Sequence, residues 1–174
     1  MHALAAGIAN DTISRSEGLG IATVLFGAAG ESTAALIGSC IKWLAEDNEL
    51  AGQLRTKPAL IPRFVEEVVR LEPPFKFHYR LVKRDCQLGG FDLKAGERLM
   101  LLWAAANRDP AMFEAPDEMK LDRKYAKQHM GFGRGQHFCI GAVLARLEAR
   151  LVLEELLSST RSFSISKESR PEYA

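Results

Sequence analysis
The chain has 174 residues, 47% hydrophobic and 26% charged, with a net charge of +1. That is the make-up of one ordinary globular domain, and so balanced a charge offers no field to draw in nucleic acid or a membrane surface. Three cysteines, Cys40, Cys86 and Cys139, are too few and too widely spaced for a disulfide framework or a structural zinc site, and they suit a reducing cytoplasm.

The first residues lack the basic start of a signal peptide and meet an acid at Asp11. Residues 14–46 read as one long helix, rich in alanine and leucine and apolar on nearly every face, with Gly27 and Gly30 as weak points. Its length would span a bilayer, but Glu31 near its middle is costly there, so burial inside protein is the expectation. Asp47 and Asn48 break it, and a short helix follows through Leu54. Pro62 opens another helix, 62–71, with Phe64, Val65, Val68, Val69 and Leu71 on one face, and Pro73 and Pro74 stop it. Short strands are expected over 79–83, around Leu88, Phe91 and Leu93, and over 99–103, with turns at Gly89-Gly90 and Ala95-Gly96. Residues 107–130 show little periodicity, and so long an irregular stretch is uncommon in a compact domain unless it is functional. A glycine-rich loop, 131–137, leads into a last amphipathic helix over 140–157. Its inner stripe is expected at Ile140, Val143, Leu144, Leu147, Leu151 and Leu156. The tail after Ser158 is polar and expected to fray.

Three stretches carry chemistry. In Phe132-Gly133-Arg134-Gly135-Gln136-His137-Phe138-Cys139-Ile140-Gly141 a cysteine stands at a helix start behind a glycine loop. Free N–H groups and the positive end of a helix stabilise a thiolate, the glycines let backbone approach a flat ligand, and Phe132 and Phe138 can cover its face. The plainer alternative is a buried, inert cysteine, which is the reading adopted for Cys40 and Cys86. In Glu67-Val68-Val69-Arg70 the acid and base are helix neighbours and can pair. In Ala28-Ala29-Gly30-Glu31-Ser32-Thr33 an acid beside a hydroxyl interrupts an apolar helix, where an unpaired buried carboxylate is expensive.

The pattern Phe-x-x-Gly-x-His-x-Cys-x-Gly resembles the haem-binding motif of the cytochrome P-450 superfamily at every fixed position. Glu67 and Arg70, ahead of the double proline, resemble that family's Glu-x-x-Arg helix. The resemblance implies a mainly α fold with small β-sheets, comprising only the C-terminal part of the family's fold over residues 1–174. It implies haem b ligated by Cys139, with Phe132, Gly133 and Gly141 against the ring and Arg80 and His137 on the propionates. Glu67 and Arg70 would be structural. The family's usual third partner falls near Glu118, where an arginine is often found, so Arg123 takes its place as candidate. Glu31 with Ser32 would relay protons to bound oxygen. An alternative register keeps Gly30 and Thr33 and gives the hydroxyl role to Thr33. Ala28, Phe75, Phe77 and His78 would border the substrate pocket.

The implied activity is a haem-thiolate monooxygenase of the cytoplasm. It inserts one atom of O2 into a small organic substrate, with electrons ultimately from NAD(P)H. The basic residues Lys120, Arg123, Lys124, Lys127, Arg134, Arg146 and Arg150 would steer an acidic donor such as a ferredoxin. No nucleic-acid or membrane partner is expected. Complete members of the family are more than twice as long, so the long helix is expected to lack cover along Ile21, Leu25 and Leu36. Two other readings stay open: a non-catalytic haem-binding remnant, and a thiol-based module that uses Cys139 without haem.

Overall fold
The structure, a computed structural model, describes residues 2–166 and 168. The chain opens with a helix the sequence reading did not foresee, α1 (His2–Ala9), which folds back so that Ile8 and Ile13 crowd Gly18 of the next helix. That helix, α2 (Arg15–Glu46), starts at a capping box. Ser14 Oγ accepts the Glu17 N–H, and the Glu17 carboxylate accepts the Ser14 N–H. Asp47 ends α2 and begins α3 (Asn48–Thr56): its N–H donates to the Trp43 carbonyl while its carboxylate accepts the Leu50 N–H.

A single-turn 3-10 helix, Pro58–Leu60, delivers the chain to α4 (Ile61–Leu71). Every α4 residue from Phe64 to Leu71 is buried, so the expected one-sided pattern is corrected: after the exposed Pro62 and Arg63 the helix is enclosed, its acids and Arg70 included. The apolar core gathers Leu36, Cys40 and Leu44 of α2, Leu50 and Leu54 of α3, Phe64 and Val68 of α4, and Ala149, Leu153 and Leu157 of the last helix. Arg55 joins α3 to the end of that helix by donating to the carbonyls of Leu157 and Thr160, where a cation meets the negative end of the helix dipole.

The sheets are two separate antiparallel pairs. One joins β1 (Phe77–Leu81) to β4 (Arg98–Leu102), with Phe77 opposite Leu102 and Leu81 opposite Arg98. Between them lies the hairpin β2 (Cys86–Leu88) and β3 (Phe91–Leu93). The first strand begins two residues earlier than expected, and Trp103 leaves the fourth for a single helical turn, α5 (Trp103–Ala106). Cys86 lies exposed on β2, not buried.

The last helix is α6 (Ala142–Ser159). The expected inner stripe is corrected: Ile140 is 90% exposed and Val143 79%, and Leu144, Leu147 and Leu151 are exposed too. The face in the core is Ala142, Ala149, Leu153 and Leu157. This helix is apolar on two sides, and periodicity cannot say which side meets the rest of the chain. Residues 170–174 of the expected frayed tail lie outside the described residues.

The same division appears along α2. Its second half is in the core, with Leu36 only 2% exposed, whereas its first half leaves Val24 at 68% and Phe26 at 88%. Leu36 therefore does not share the uncovered face of Ile21 and Leu25. By length and composition α2 could cross a membrane, although Glu31 interrupts it and Cys40 and Leu44 are fully buried in protein. Contiguous apolar surface beyond a few hundred Å² favours association. The chain on its own is expected to self-associate at micromolar concentration, as read by size-exclusion chromatography; a sharp monomer peak would contradict this.

Candidate functional site
Glu67 and Arg70 have no solvent exposure and form a forked ion pair of 2.7 and 2.9 Å on one face of α4. The rest of the Arg70 guanidinium donates to the carbonyls of Asn107 (3.0 Å), Pro116 (2.5 Å) and Glu118 (2.9 Å). Arg123 comes from the far end of the irregular stretch. Its Nε lies 2.9 and 3.0 Å from the two Glu67 oxygens, and its other nitrogens donate to the carbonyls of Glu114, Ala115 and Glu118. Glu118 thus takes part through its backbone. The Lys120 N–H also donates to Glu67. Burial alone would raise the Glu67 carboxyl, but the hydrogen bonds from Arg70, Arg123 and Lys120 and the Arg70 charge outweigh it and lower it.

A second buried cluster lies beside the first, and the sequence reading missed it. Glu66 accepts from Arg146 of α6 at 2.5 and 3.0 Å and faces His129 Nε2 at 3.1 Å. Burial would raise the Glu66 carboxyl, but the hydrogen bonds from His129 and Arg146, the Arg146 charge and the charge of His129 when it is protonated overcome it and bring it to about 2. Arg146 also lies 4.4 Å above the ring of Phe132. An acid next to another acid on a helix looks like a solvated surface, and the partners are 63 and 80 residues away, so no local spacing marks the cluster.

A pH dependence follows. The Glu66 carboxyl is lower in the folded chain than its ordinary value of 4.5, so its stabilisation is complete above that value and fades as pH falls towards about 2. Glu66→Gln cannot titrate and should flatten the loss of stability between about pH 5 and pH 2 in denaturant melts. An unchanged slope would show that Glu66 is not the group responsible.

The loop before α6 sits on these clusters. The Cys139 N–H donates to the Phe132 carbonyl at 2.9 Å, and the Cys139 carbonyl accepts the Ala142 N–H at 3.3 Å. The cysteine therefore precedes the helix, and the cap position is Gly141, which supplies no side chain to occupy the first N–H groups. Gly133 and Gly135 both have φ of +67°, a backbone that other residues rarely adopt. The closest approach is at Gly131, which the sequence reading did not single out: a Cβ there would meet Val69 Cγ1 at 2.6 Å and Val69 O at 3.0 Å. Gly141 lies beside the Cys139 sulfur, since a Cβ added to it would come within 3.8 Å of Sγ.

The thiols differ. Cys139 is exposed, and Phe138, Ile140, Val143 and Leu144 around it are exposed and apolar. Cys40 is buried, and burial together with the Glu72 charge pushes its thiol up to about 12. Among the described residues no three His, Cys, Asp or Glu side chains gather as a metal site. The haem implied by the resemblance fits here: an exposed thiol for the iron, a glycine-bent backbone and an uncovered apolar surround for the ring.

The other expected site residues are spread along the surface. Glu31 and Ala28 are exposed on α2, Ser32 Oγ donates to the Ala28 carbonyl at 2.6 Å, and Thr33 is half-buried. Phe75 and His78 are in ring contact at 5.2 Å, Phe77 packs on Tyr79 at 5.5 Å, and Trp103 Nε1 donates to His78 Nδ1 at 2.6 Å. Arg80 is exposed and donates to the Tyr79 carbonyl, and His137 is exposed in a single-turn 3-10 helix. Among the described residues no hydrogen bond or ion pair joins the 28–33 segment or Arg80 to the Cys139 loop.

A groove of about 1190 Å³ runs between α4, the irregular stretch and α6, bordered by Arg63, Lys120, Lys124, Lys127 and Arg150 and floored by Phe132 and Phe138. Two of the expected surface cations, Arg123 and Arg146, turn inward onto Glu67 and Glu66, because a buried carboxylate demands a counter-charge.

Residues 41–172 match the family model described as Cytochrome P450. Cytochrome P450 144 of Mycobacterium tuberculosis is 55% identical over 136 residues, which are 78% of this chain and 31% of that protein. Cytochrome P450-terp of a Pseudomonas species is 38% identical over 136 residues, 78% of this chain and 32% of that one. The chain thus spans about a third of the length of these curated relatives. Among solved structures, CYP109E1 of Bacillus megaterium in complex with testosterone has a TM-score of 0.86 at 39% identity, covering 91% of this chain and 44% of that one. P450BioI, solved with a fatty-acid-ligated acyl carrier protein, has a TM-score of 0.78 at 37% identity, covering 82% and 37%. The cysteine loop, the acid–base pair on α4 and these likenesses in sequence and fold agree: the chain belongs to the cytochrome P450 family.

Proposed function
We propose that the chain is the haem-ligating part of a haem-thiolate monooxygenase that inserts one atom of O2 into a small organic substrate. The observation that carries this reading is the Cys139 loop, which offers an exposed thiol on a glycine-bent backbone, ringed by uncovered apolar side chains. In this reading Cys139 Sγ would hold the iron of haem b, with Phe132 and Phe138 to cover the ring and Gly133 and Gly141 to give it room. Arg80 and His137 would hold the propionates, and a guanidinium pairs well with a carboxylate. When bound, the haem supplies the oxygen chemistry, which a thiolate ligand favours by pushing electron density onto iron.

The protein's own groups hold and move protons. Ser32 donates its hydroxyl proton to Ala28 O, which leaves its oxygen able to accept, with Glu31 beside it as the exposed acid. Thr33 takes the hydroxyl role in the alternative register. Ala28, Phe75, Phe77 and His78 border the substrate. The first of the structures above was solved with testosterone, which supports a small apolar substrate. The basic rim of the groove supports docking of an acidic electron carrier such as a ferredoxin, reduced ultimately by NAD(P)H in the cytoplasm.

The test uses the chain restored to a full-length protein, with haem, reductant, donor and isotopically labelled dioxygen. The product should carry one labelled oxygen atom; haem uptake without turnover would favour a non-catalytic haem-binding protein. Ser32→Ala should keep haem and substrate binding but divert reducing equivalents to peroxide, measured as product formed per NAD(P)H consumed. Coupling equal to the parent would assign the hydroxyl role to Thr33.

A further inference from the structure
We propose that His129 is a positioning residue for the Cys139 loop, coupling Gly131 through one ring nitrogen to the Glu66–Arg146 ion pair between α4 and α6. The imidazole is buried, its side chain 1% exposed. Its Nδ1 lies 3.1 Å from the Gly131 nitrogen, and a backbone N–H can only donate, so Nδ1 accepts. The ring proton is then on Nε2, which donates to Glu66 Oε2 at 3.1 Å. Both partners together specify one neutral tautomer.

Charge balance does not require this histidine. Arg146 already covers both oxygens of Glu66, at 2.5 and 3.0 Å. A neutral His129 adds no counter-charge. What it alone supplies is the acceptor for Gly131. That residue packs directly on α4, where an added Cβ would overlap Val69. Its neighbours are held as well: the Met130 N–H donates to the buried Asn107 Oδ1 at 2.6 Å, and the Phe132 carbonyl receives the Cys139 N–H at 2.9 Å. The Phe132 ring lies 5.6 Å from the His129 ring on one side and 4.4 Å from the Arg146 guanidinium on another. Three successive residues are thus pinned by three different partners, and the last of them is bonded to the cysteine backbone. The proposal rests on the functional reading above only for what the loop serves; the coupling belongs to the protein chain itself.

Two substitutions separate positioning from neutralisation. In His129→Gln the amide nitrogen takes the place of Nε2 and still donates to Glu66, but Gly131 loses its acceptor. In His129→Asn the amide oxygen takes the place of Nδ1 and still accepts from Gly131, but the Glu66 contact is lost. Hydrogen exchange of the Gly131 and Cys139 amides is read in the full chain, with the alkylation rate of Cys139 by iodoacetamide alongside. His129→Gln should speed exchange at both amides by about tenfold, as expected for a lost buried hydrogen bond, and should speed alkylation. His129→Asn should leave both amides within about twofold of the parent. The ranking decides the matter. Loop protection lost in the Asn variant as much as in the Gln variant or more, including by failure to fold, would overturn the proposal, and so would unchanged protection in the Gln variant. A chain that never takes up haem would undo the functional reading but leave these rates where they are.

Discussion
Replacing Glu67 with alanine lowers the unfolding free energy by ~3–5 kcal/mol, the usual cost of removing one partner from a buried ion pair. The side chains of Glu67 and Arg70 are wholly buried and that of Arg123 is 6% exposed, so both guanidinium groups lose their carboxylate in a site largely shielded from water. The carbonyls that remain around them solvate a cation but do not neutralise it. Because Arg70 and Arg123 tie residues 107–118 to α4, the irregular stretch loosens with them. Domains have only about 5–15 kcal/mol of stability in total. The loss should lower the melting temperature by roughly 10 °C, and in a full-length protein should prevent stable folding with haem. Thermal and urea unfolding of parent and variant measure it; a midpoint that does not move would show that the network contributes nothing net.

That network was half legible in the sequence. Residues three apart on a helix are neighbours, so Glu67 and Arg70 could pair by spacing, but it was the resemblance to the family's Glu-x-x-Arg helix that singled them out and made Arg123 a candidate third partner. The other partners could not be named, because they are carbonyls of Asn107, Pro116 and Glu118, and a backbone acceptor leaves no mark in the side-chain code. For the same reason the irregular stretch looked unstructured, though it is held at several points. The cysteine loop stood out through its resemblance to the family's haem-binding motif; by residue chemistry alone a buried, inert cysteine was an equal alternative, and the structure leaves this thiol exposed. The cluster of Glu66, His129 and Arg146 did not stand out, since each residue alone is an ordinary polar residue and only the fold brings them together. The face of α6 was misjudged for a different reason. An apolar stripe says that a surface needs cover, and it does not say whether this chain supplies it. Ile140 and Val143 need cover that the described residues do not provide.

Cys139→Ala removes the thiolate and should erase its spectral mark without loosening the fold. The side chain is exposed and the loop is held by backbone hydrogen bonds and by Gly131, so melting of the haem-free chain should stay within about 0.5 kcal/mol of the parent, as for other surface substitutions. The other two thiols cannot take over. Cys40 is buried with its thiol pushed up to about 12, and Cys86 lies on a separate hairpin. The deciding measurement is the absorption spectrum of the ferrous carbonyl complex of haem-loaded protein, restored to full length, with and without this substitution. Cys139 as the iron ligand predicts a strongly red-shifted Soret band in the parent and none in Cys139→Ala; the same red-shifted band in both would contradict it.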